Sequence, residues 1–312
     1  MKTTKNLLTL ANQACTFQAV KKTRGVRITN KCARVPICYY CNYMNEPVYT
    51  MTIQETIDRV TELRKVGVNR ITLVSGWLGY QNTMSVPYLK ALRNEFADLE
   101  ISAAAGPISK SSLKALKDAG LNQYGCNLEA TPEILVKIKG FNDIPERIET
   151  LRYAKDVGLK VSSGYIIGIG ETPEQLTRLL EIIGTVDPDN VFMTPFEPYP
   201  DTPMSDASAP TIKQIAETVA KTRLMFKEKV LGLRIIRQGN FIPVEFLSLM
   251  VYAGINLVAP APEIKDMSVE HFRNELKASI QDPARTEQNL RSKGISQNEI
   301  TEFNEIAASL NL

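Results

Sequence analysis

Histidine, tryptophan and cysteine are scarce in this chain: one, one and five among 312 residues. An odd and small number of cysteines argues against a secreted disulfide framework. No apolar run reaches the roughly 18 residues that a membrane span needs. The opening segment MKTTKNLLTLANQACTF has neither a long apolar stretch nor a small-residue cleavage site, so a cytoplasmic protein is expected. Charge of one sign is lacking too. The 37 basic and 34 acidic residues, for a net charge of +3, are interspersed. A nucleic-acid partner, which calls for a basic stripe, is therefore not expected.

What is present is a repeated unit. A helical segment ends in glycine and drops at once into a β-branched strand, as in ELRKVGVNRITLVSG, ALKDAGLNQYGCNLE, YAKDVGLKVSSGYIIG, KEKVLGLRIIRQG and LMVYAGINLVAP. Gly67, Gly120, Gly158, Gly232 and Gly254 can take the left-handed conformation that closes a helix. With RGVRITNKC, EISAAAGP and DNVFMTPFEP added, eight strands are expected near 25–31, 69–75, 100–106, 122–128, 160–168, 190–196, 233–238 and 255–259. Ile53, Ile57, Val60 and Leu63 recur at helical spacing, behind a capping box of Thr52 and Glu55. Eight strands alternating with helices predict a (β/α)8 TIM-type barrel. An open doubly wound sheet is the competing layout, but the first strand lacks a Gly-rich phosphate turn. A single domain is expected: a core over about 24–260, an N-terminal helix in 1–20 and a helical extension in 268–312.

Three of the five cysteines crowd into KCARVPICYYCNYMNEP, just after the first strand. That is the active-site end of a barrel. Three thiolates can hold three corners of a [4Fe–4S] cube and leave one iron open. The alternative is a structural zinc site, which usually takes four protein ligands. His271 is remote in sequence, and Cys15 or Cys126 would need a long reach. Unligated thiols are the third reading.

Cys32, Cys38 and Cys41 follow the first strand, with an aromatic residue just before the last. This pattern resembles the radical S-adenosylmethionine (SAM) superfamily. GLNQYGCNLEATPE, RIETLRYAKDVGLKVSSGYIIGIGETPE, PFEPYPDTPM and MVYAGINLV resemble segments of its biotin synthase, [FeFe]-hydrogenase maturase and methylornithine synthase group, over residues 24 to 260. The superfamily commonly spaces its cysteines C-x3-C-x2-C. The C-x5-C-x2-C spacing here is similar to HmdB, which is linked to the guanylylpyridinol cofactor of [Fe]-hydrogenase.

The resemblance implies a [4Fe–4S] cluster on Cys32, Cys38 and Cys41, and SAM as second cofactor. A low-potential donor of ferredoxin or flavodoxin type reduces the cluster. SAM is then cleaved to a 5′-deoxyadenosyl radical that takes hydrogen from a small-molecule substrate. Ser75, Gly76 and Trp77 fall where backbone carbonyls receive the SAM amino group, although Trp77 suits rim packing equally. Glu129, with Asn127 on the same strand face, is expected at the ribose hydroxyls; its other reading is a helix cap. Arg147 is expected on the SAM carboxylate. Ile167 and Gly168 belong to the adenine strand, with Tyr40 beside the purine or simply packed. Thr194 and Arg237 are candidate substrate contacts, Arg237 for a carboxylate or within an ion pair.

The implied function is a radical reaction in making the [Fe]-hydrogenase cofactor. The alternatives are a methylornithine-type rearrangement, sulfur insertion or a non-enzymatic iron–sulfur carrier. Sulfur insertion would need a second cluster on inner-strand cysteines and an arginine. Those positions fall at Ser162 and Ile235, and EISAAAG lacks the cysteine expected on strand three. Cys126 reads as a buried core thiol.

Overall fold

Glycine ends the helices where the chain must turn back sharply. Gly67, Gly120, Gly158 and Gly254 all have positive φ, from 79° to 122°. Each is followed within a few residues by a strand of one parallel sheet. The computed structural model describes residues 2–43, 46–237 and 240–310, with Lys2 and Arg237 in backbone only.

The strands are β1 (Lys21–Lys22), β2 (Arg24–Arg27), β3 (Arg70–Val74), β4 (Glu100–Ala104), β5 (Gln123–Gly125), β6 (Lys160–Ile167), β7 (Asn190–Pro195), β8 (Val230–Arg234), β9 (Ile236–Arg237), β10 (Asn240–Phe241) and β11 (Leu257–Ala259). Nine of them pair in parallel in the order β1-β11-β8-β7-β6-β5-β4-β3-β2. Its two ends, β1 and β2, are separated only by Thr23, whose N–H donates to Val258 O at 3.0 Å. One run of chain thus bonds the last strand with its first half and the second with its other half. The result is a barrel closed at its base, as the alternating pattern predicts. β9 and β10 form a separate antiparallel hairpin.

Around it lie α1 (Lys2–Gln13), α2 (Ile53–Lys65), α3 (Ser85–Glu95), α4 (Lys110–Asp118), α5 (Pro132–Lys139), α6 (Ile144–Asp156), α7 (Pro173–Gly184), α8 (Ile212–Met225), α9 (Val244–Ala253), α10 (Val269–Gln281), α11 (Pro283–Ser292) and α12 (Gln297–Ser309). The Thr52–Glu55 capping box is formed, and Thr172–Gln175 and Thr211–Gln214 repeat it. α1 and the C-terminal helices share one apolar core with the later strands: Leu8, Val219, Phe246 and Phe303 are fully buried together. A second core joins Val60, Leu92, Leu116 and Leu151 to the outward faces of the early strands.

Alternation along the strands decides what faces inward. Ile71 and Leu73 of β3 are buried against the helices, whereas Thr72 and Val74 face the barrel interior. Several other interior positions are small: Gly25, Ser102, Gly125 and Ser162. A barrel interior is usually filled by branched side chains; this one is hollow.

Two expectations need correction. β8 begins at Val230 rather than 233, and Gly232 lies inside it with no helix to close. Gly232 is needed for space: a Cβ there would lie 2.3 Å from the ring of Phe192, its register partner on β7. The first strand ends at Arg27 rather than 31, because Thr29 leaves the barrel to bridge Thr50. Gly232→Ala is expected to destabilise by roughly 1–3 kcal/mol through overpacking. Gly125→Ala, with no contact under 3.6 Å, should not destabilise and should gain up to about 1 kcal/mol from a stiffer unfolded chain. Urea midpoints at constant m-value measure both.

Candidate active site

The cysteine loop is closed at its base by the Thr29–Thr50 bridge, with the two hydroxyls 3.0 Å apart. Asn30 braces it, donating to Pro47 O at 3.0 Å and accepting from Tyr49 N at 2.9 Å. One arm lies on the end of β3, where Ala33 N–H donates to Trp77 O at 2.7 Å. Gly76 permits this: a Cβ there would be 2.2 Å from Lys31 O and 2.7 Å from the Cys32 Cβ. The other arm rests on the end of α5. Tyr39 N–H donates to Ile138 O at 2.8 Å, and Pro36 packs on Gly140, the left-handed residue (φ 78°) that closes that helix.

Cys32, Cys38 and Cys41 are half-buried free thiols. Burial pushes the Cys38 thiol up to about 11 and raises Cys41 as well. Among the described residues, no three His, Cys, Asp or Glu side chains are gathered to hold a metal ion. Neutral thiols do not attract one another. Ligands of a cube, moreover, bind different irons and need not converge on one point. The donor set of three soft sulfurs in one loop, without a fourth in that loop, suits a cluster with an open vertex. His271 sits on α10, edge-on to Phe272 at 5.3 Å.

Behind the loop lies a network of buried charge. Glu129, just past β5, has φ of 70°, a left-handed conformation uncommon outside glycine. Its backbone bonds to β6 on both sides, with N–H to Gly164 O at 3.1 Å and carbonyl from Ile166 N at 2.8 Å. The carboxylate accepts from Tyr40 Oη at 2.7 Å, meets Lys139 Nζ, and lies 3.2 Å from Arg147 Nη1. Arg147 also donates to Asn127 O at 2.5 Å and lies 2.8 Å from Asp143 Oδ1. Burial alone would raise the Glu129 pKa; Arg147, Lys139 and the Tyr40 hydroxyl overcome it and hold the carboxyl at about 2.

The barrel interior is a cavity of about 660 Å³ opening beside this network. Tyr40, Cys41, Asn127 and Thr194 line it, as do Ser162, Ile166, Phe192 and Arg234. Ser102 and Asn190 meet Gln123 Oε1 at 3.2 and 3.1 Å on the same wall.

Not every expected residue reaches it. Ile167 is 1% exposed in the outer apolar core, whereas Ile166 lines the cavity. The expectation was one residue out of phase, which along a strand reverses the face. The close approach at Gly168 is made by the chain itself: a Cβ there would meet Pro210 at 2.7 Å. Ser75, Gly76 and Trp77 are absent from the cavity wall, and Gly76 and Trp77 instead seat the cysteine loop. Ser75 Oγ donates to Gly76 O, while Trp77 Nε1 donates to Pro107 O at 2.8 Å and packs edge-on to Tyr80. Ile235 is fully buried, but its neighbour Arg234 does line the cavity, held by Tyr199 Oη at 3.0 Å. An arginine therefore lines the interior next to Ile235, where the comparison with sulfur insertion finds none. The Arg237 side chain lies outside the described residues. Cys126 is a core thiol, 1% exposed.

Sequence reading missed Lys139, Asp143 and Arg34. Lys139 reads as an ordinary basic residue of a last helical turn, indistinguishable from Lys137.

A cysteine loop at the C-terminal end of a closed parallel barrel, beside a hollow interior, defines the class. The sequence model of the Radical SAM superfamily matches residues 26–183, and the chain belongs to that superfamily. It is an enzyme of the kind that uses a [4Fe–4S] cluster and SAM. It is 27% identical over 257 residues to the biotin synthase of Chlamydia pneumoniae, covering 81% of this chain and 76% of that one. The crystal structure of methylornithine synthase superposes with a TM-score of 0.71 at 19% identity, over 98% of this chain and 92% of the other. The [FeFe]-hydrogenase maturase HydG from Carboxydothermus hydrogenoformans gives 0.73 at 16%, over 88% and 71%.

Because the folded Glu129 pKa lies below its unfolded value of 4.5, its contribution to stability is complete above about 4.5 and is lost as pH falls towards 2. Glu129→Gln should be less stable than wild type at pH 7. The gap should narrow by on the order of 3 kcal/mol across that window, read from urea unfolding at successive pH values.

Proposed function

We propose that this enzyme performs a radical step on a small molecule in the making of the [Fe]-hydrogenase guanylylpyridinol cofactor, in the manner of HmdB. The observation that carries the reading is the C-x5-C-x2-C loop set over a hollow interior whose lining, among the described residues, contains no cysteine besides Cys41. Sulfur insertion would need further thiolates to hold a second cluster. The wall offers Ser102 and Ser162 instead, and Arg234 alone does not make that site.

Cys32, Cys38 and Cys41 would hold the cluster, which when bound and reduced supplies the electron that cleaves SAM to the 5′-deoxyadenosyl radical. A ferredoxin or flavodoxin is the expected donor. Glu129, ionised throughout the physiological range, is suited to accept from the two ribose hydroxyls, for charge-assisted hydrogen bonds are the strong ones. Arg147 offers its guanidinium to the amino-acid carboxylate. Tyr40 orients Glu129 and faces the cavity together with Asn127 and Ile166. Thr194, paired in register with Ile166 across β6 and β7, lies on the same wall for substrate. Arg237 remains a candidate substrate contact. The enclosing wall limits water around a reactive radical.

Anaerobic reconstitution with iron and sulfide, then dithionite and SAM, should yield 5′-deoxyadenosine. Cys38→Ala should lose that product and most bound iron; unchanged cleavage would falsify its role as a ligand. Glu129→Ala should weaken SAM binding by about tenfold or more, as expected for a lost charged hydrogen bond, with the cluster spectrum unchanged. Equal SAM affinity in titration would remove Glu129 from the cofactor site. For the substrate, deuterated 2-hydroxypyridines, lysine and dethiobiotin should be compared. Deuterium in 5′-deoxyadenosine from the pyridinol alone is expected; transfer from lysine or dethiobiotin instead would overturn the pathway assignment.

A further inference from the structure

Arg34 lies two residues after Cys32, inside the five-residue gap between the first two cysteines. Its guanidinium donates to Asp143 Oδ2 at 2.7 Å and is stacked on two rings, 4.2 Å from the centre of Trp77 and 5.1 Å from that of Phe141. The Arg34 side chain is 13% exposed and that of Asp143 4%, so the pair is largely desolvated. Asp143 turns its other oxygen to Arg147, Arg147 reaches Glu129, and Glu129 accepts from Tyr40. Tyr40 immediately precedes Cys41. A path of charge contacts therefore leaves the loop just after its first cysteine and re-enters it just before its last.

From this circuit we infer that Arg34 is a positioning residue that makes closure of the cysteine loop and occupation of the Glu129–Arg147 site depend on one another. The inference rests on the assignment of Glu129 and Arg147 to SAM. Asp143 is shared: Arg34 takes one oxygen and Arg147 the other. The network holds three cations, Arg34, Lys139 and Arg147, against two carboxylates, Asp143 and Glu129. One more anionic group on Arg147 balances that charge and relieves its demand on Asp143, which is then freer to hold Arg34. A closed loop, conversely, keeps Asp143 partly occupied by Arg34 and leaves Arg147 more available. Mutual strengthening of this kind is linkage and must run both ways. Lysine at position 34 would keep the charge but neither the planar fork nor the stacking.

The test uses Arg34→Gln, Arg34→Lys, Asp143→Asn and the double variant Arg34→Gln with Asp143→Asn. Amide hydrogen exchange of residues 33–41 is read in full-length, metal-free protein without SAM. SAM affinity is read by titration of the cluster-loaded protein, together with the change that SAM makes in the EPR signal of the reduced cluster. Arg34→Gln should speed exchange and weaken SAM by about tenfold each, within the range usual for coupled sites. The SAM-induced EPR change should shrink accordingly. Asp143→Asn should behave alike, the double variant should be no worse than the worse single, and Arg34→Lys should fall between Arg34→Gln and wild type. Should Arg34→Gln not fold, Arg34→Lys carries the same comparison. Wild-type exchange and SAM affinity in Arg34→Gln would overturn the inference, as would strict additivity in the double variant. Failure of the wild-type enzyme to bind SAM would instead strike the cofactor assignment, since the exchange measurement involves neither cofactor.

Discussion

A buried carboxylate needs partners, and Glu129 has them from three directions. Lys139 arrives from the last turn of α5, Arg147 from the second turn of α6, and Tyr40 from the cysteine loop. An isolated charge in this position would cost several kcal/mol or would neutralise by taking up a proton. Paired as it is, the carboxyl stays ionised. The arrangement ties the end of β5, two helices and the cysteine loop into one unit. The left-handed backbone at Glu129 belongs to the same constraint, since β6 bonds its N–H and its carbonyl in that conformation. Strain of this kind at a non-glycine residue tends to collect at functional sites.

The second constraint is empty space. Barrel interiors usually fill with branched side chains, whereas glycine, serine and alanine recur here at inward positions. Close packing is kept outside the strands, where two apolar cores bind the helices. Stability and function are thereby separated: the outer layer bears the packing and the inner face is free to line a chamber. Phe192 and Gly232 show how locally this is arranged, the ring of one occupying the space where the other has no side chain.

The barrel was legible in the sequence because its cause is local. A helix that closes on a left-handed glycine and re-enters a strand repeats along the chain, and repetition of that unit predicts a parallel barrel. The loop of three thiols was legible from spacing alone, and a family likeness pointed to Glu129, Asn127 and Arg147, which the structure brings into contact. Errors arose where a one-residue difference changes meaning. Ile166 and Ile167 are equally apolar, yet the pleat sends one inward and the other outward. Arg234 and Ile235 likewise differ by one position, and only the arginine lines the cavity. Gly232 looked like a helix terminator because its neighbours resemble the others, while its true constraint is an aromatic ring on another strand.

Sequence by itself determined the class of architecture and the three-thiol loop, because each is written in residue types at short range. Only the tertiary structure decided which charged groups meet. Lys139 and Asp143 look like ordinary residues near helix ends, and Arg34 looks like part of a loop. They become a network because α5, α6 and the loop are brought together behind β5. Charge interactions depend on distance and burial rather than on position along the chain, so no local pattern could have announced them.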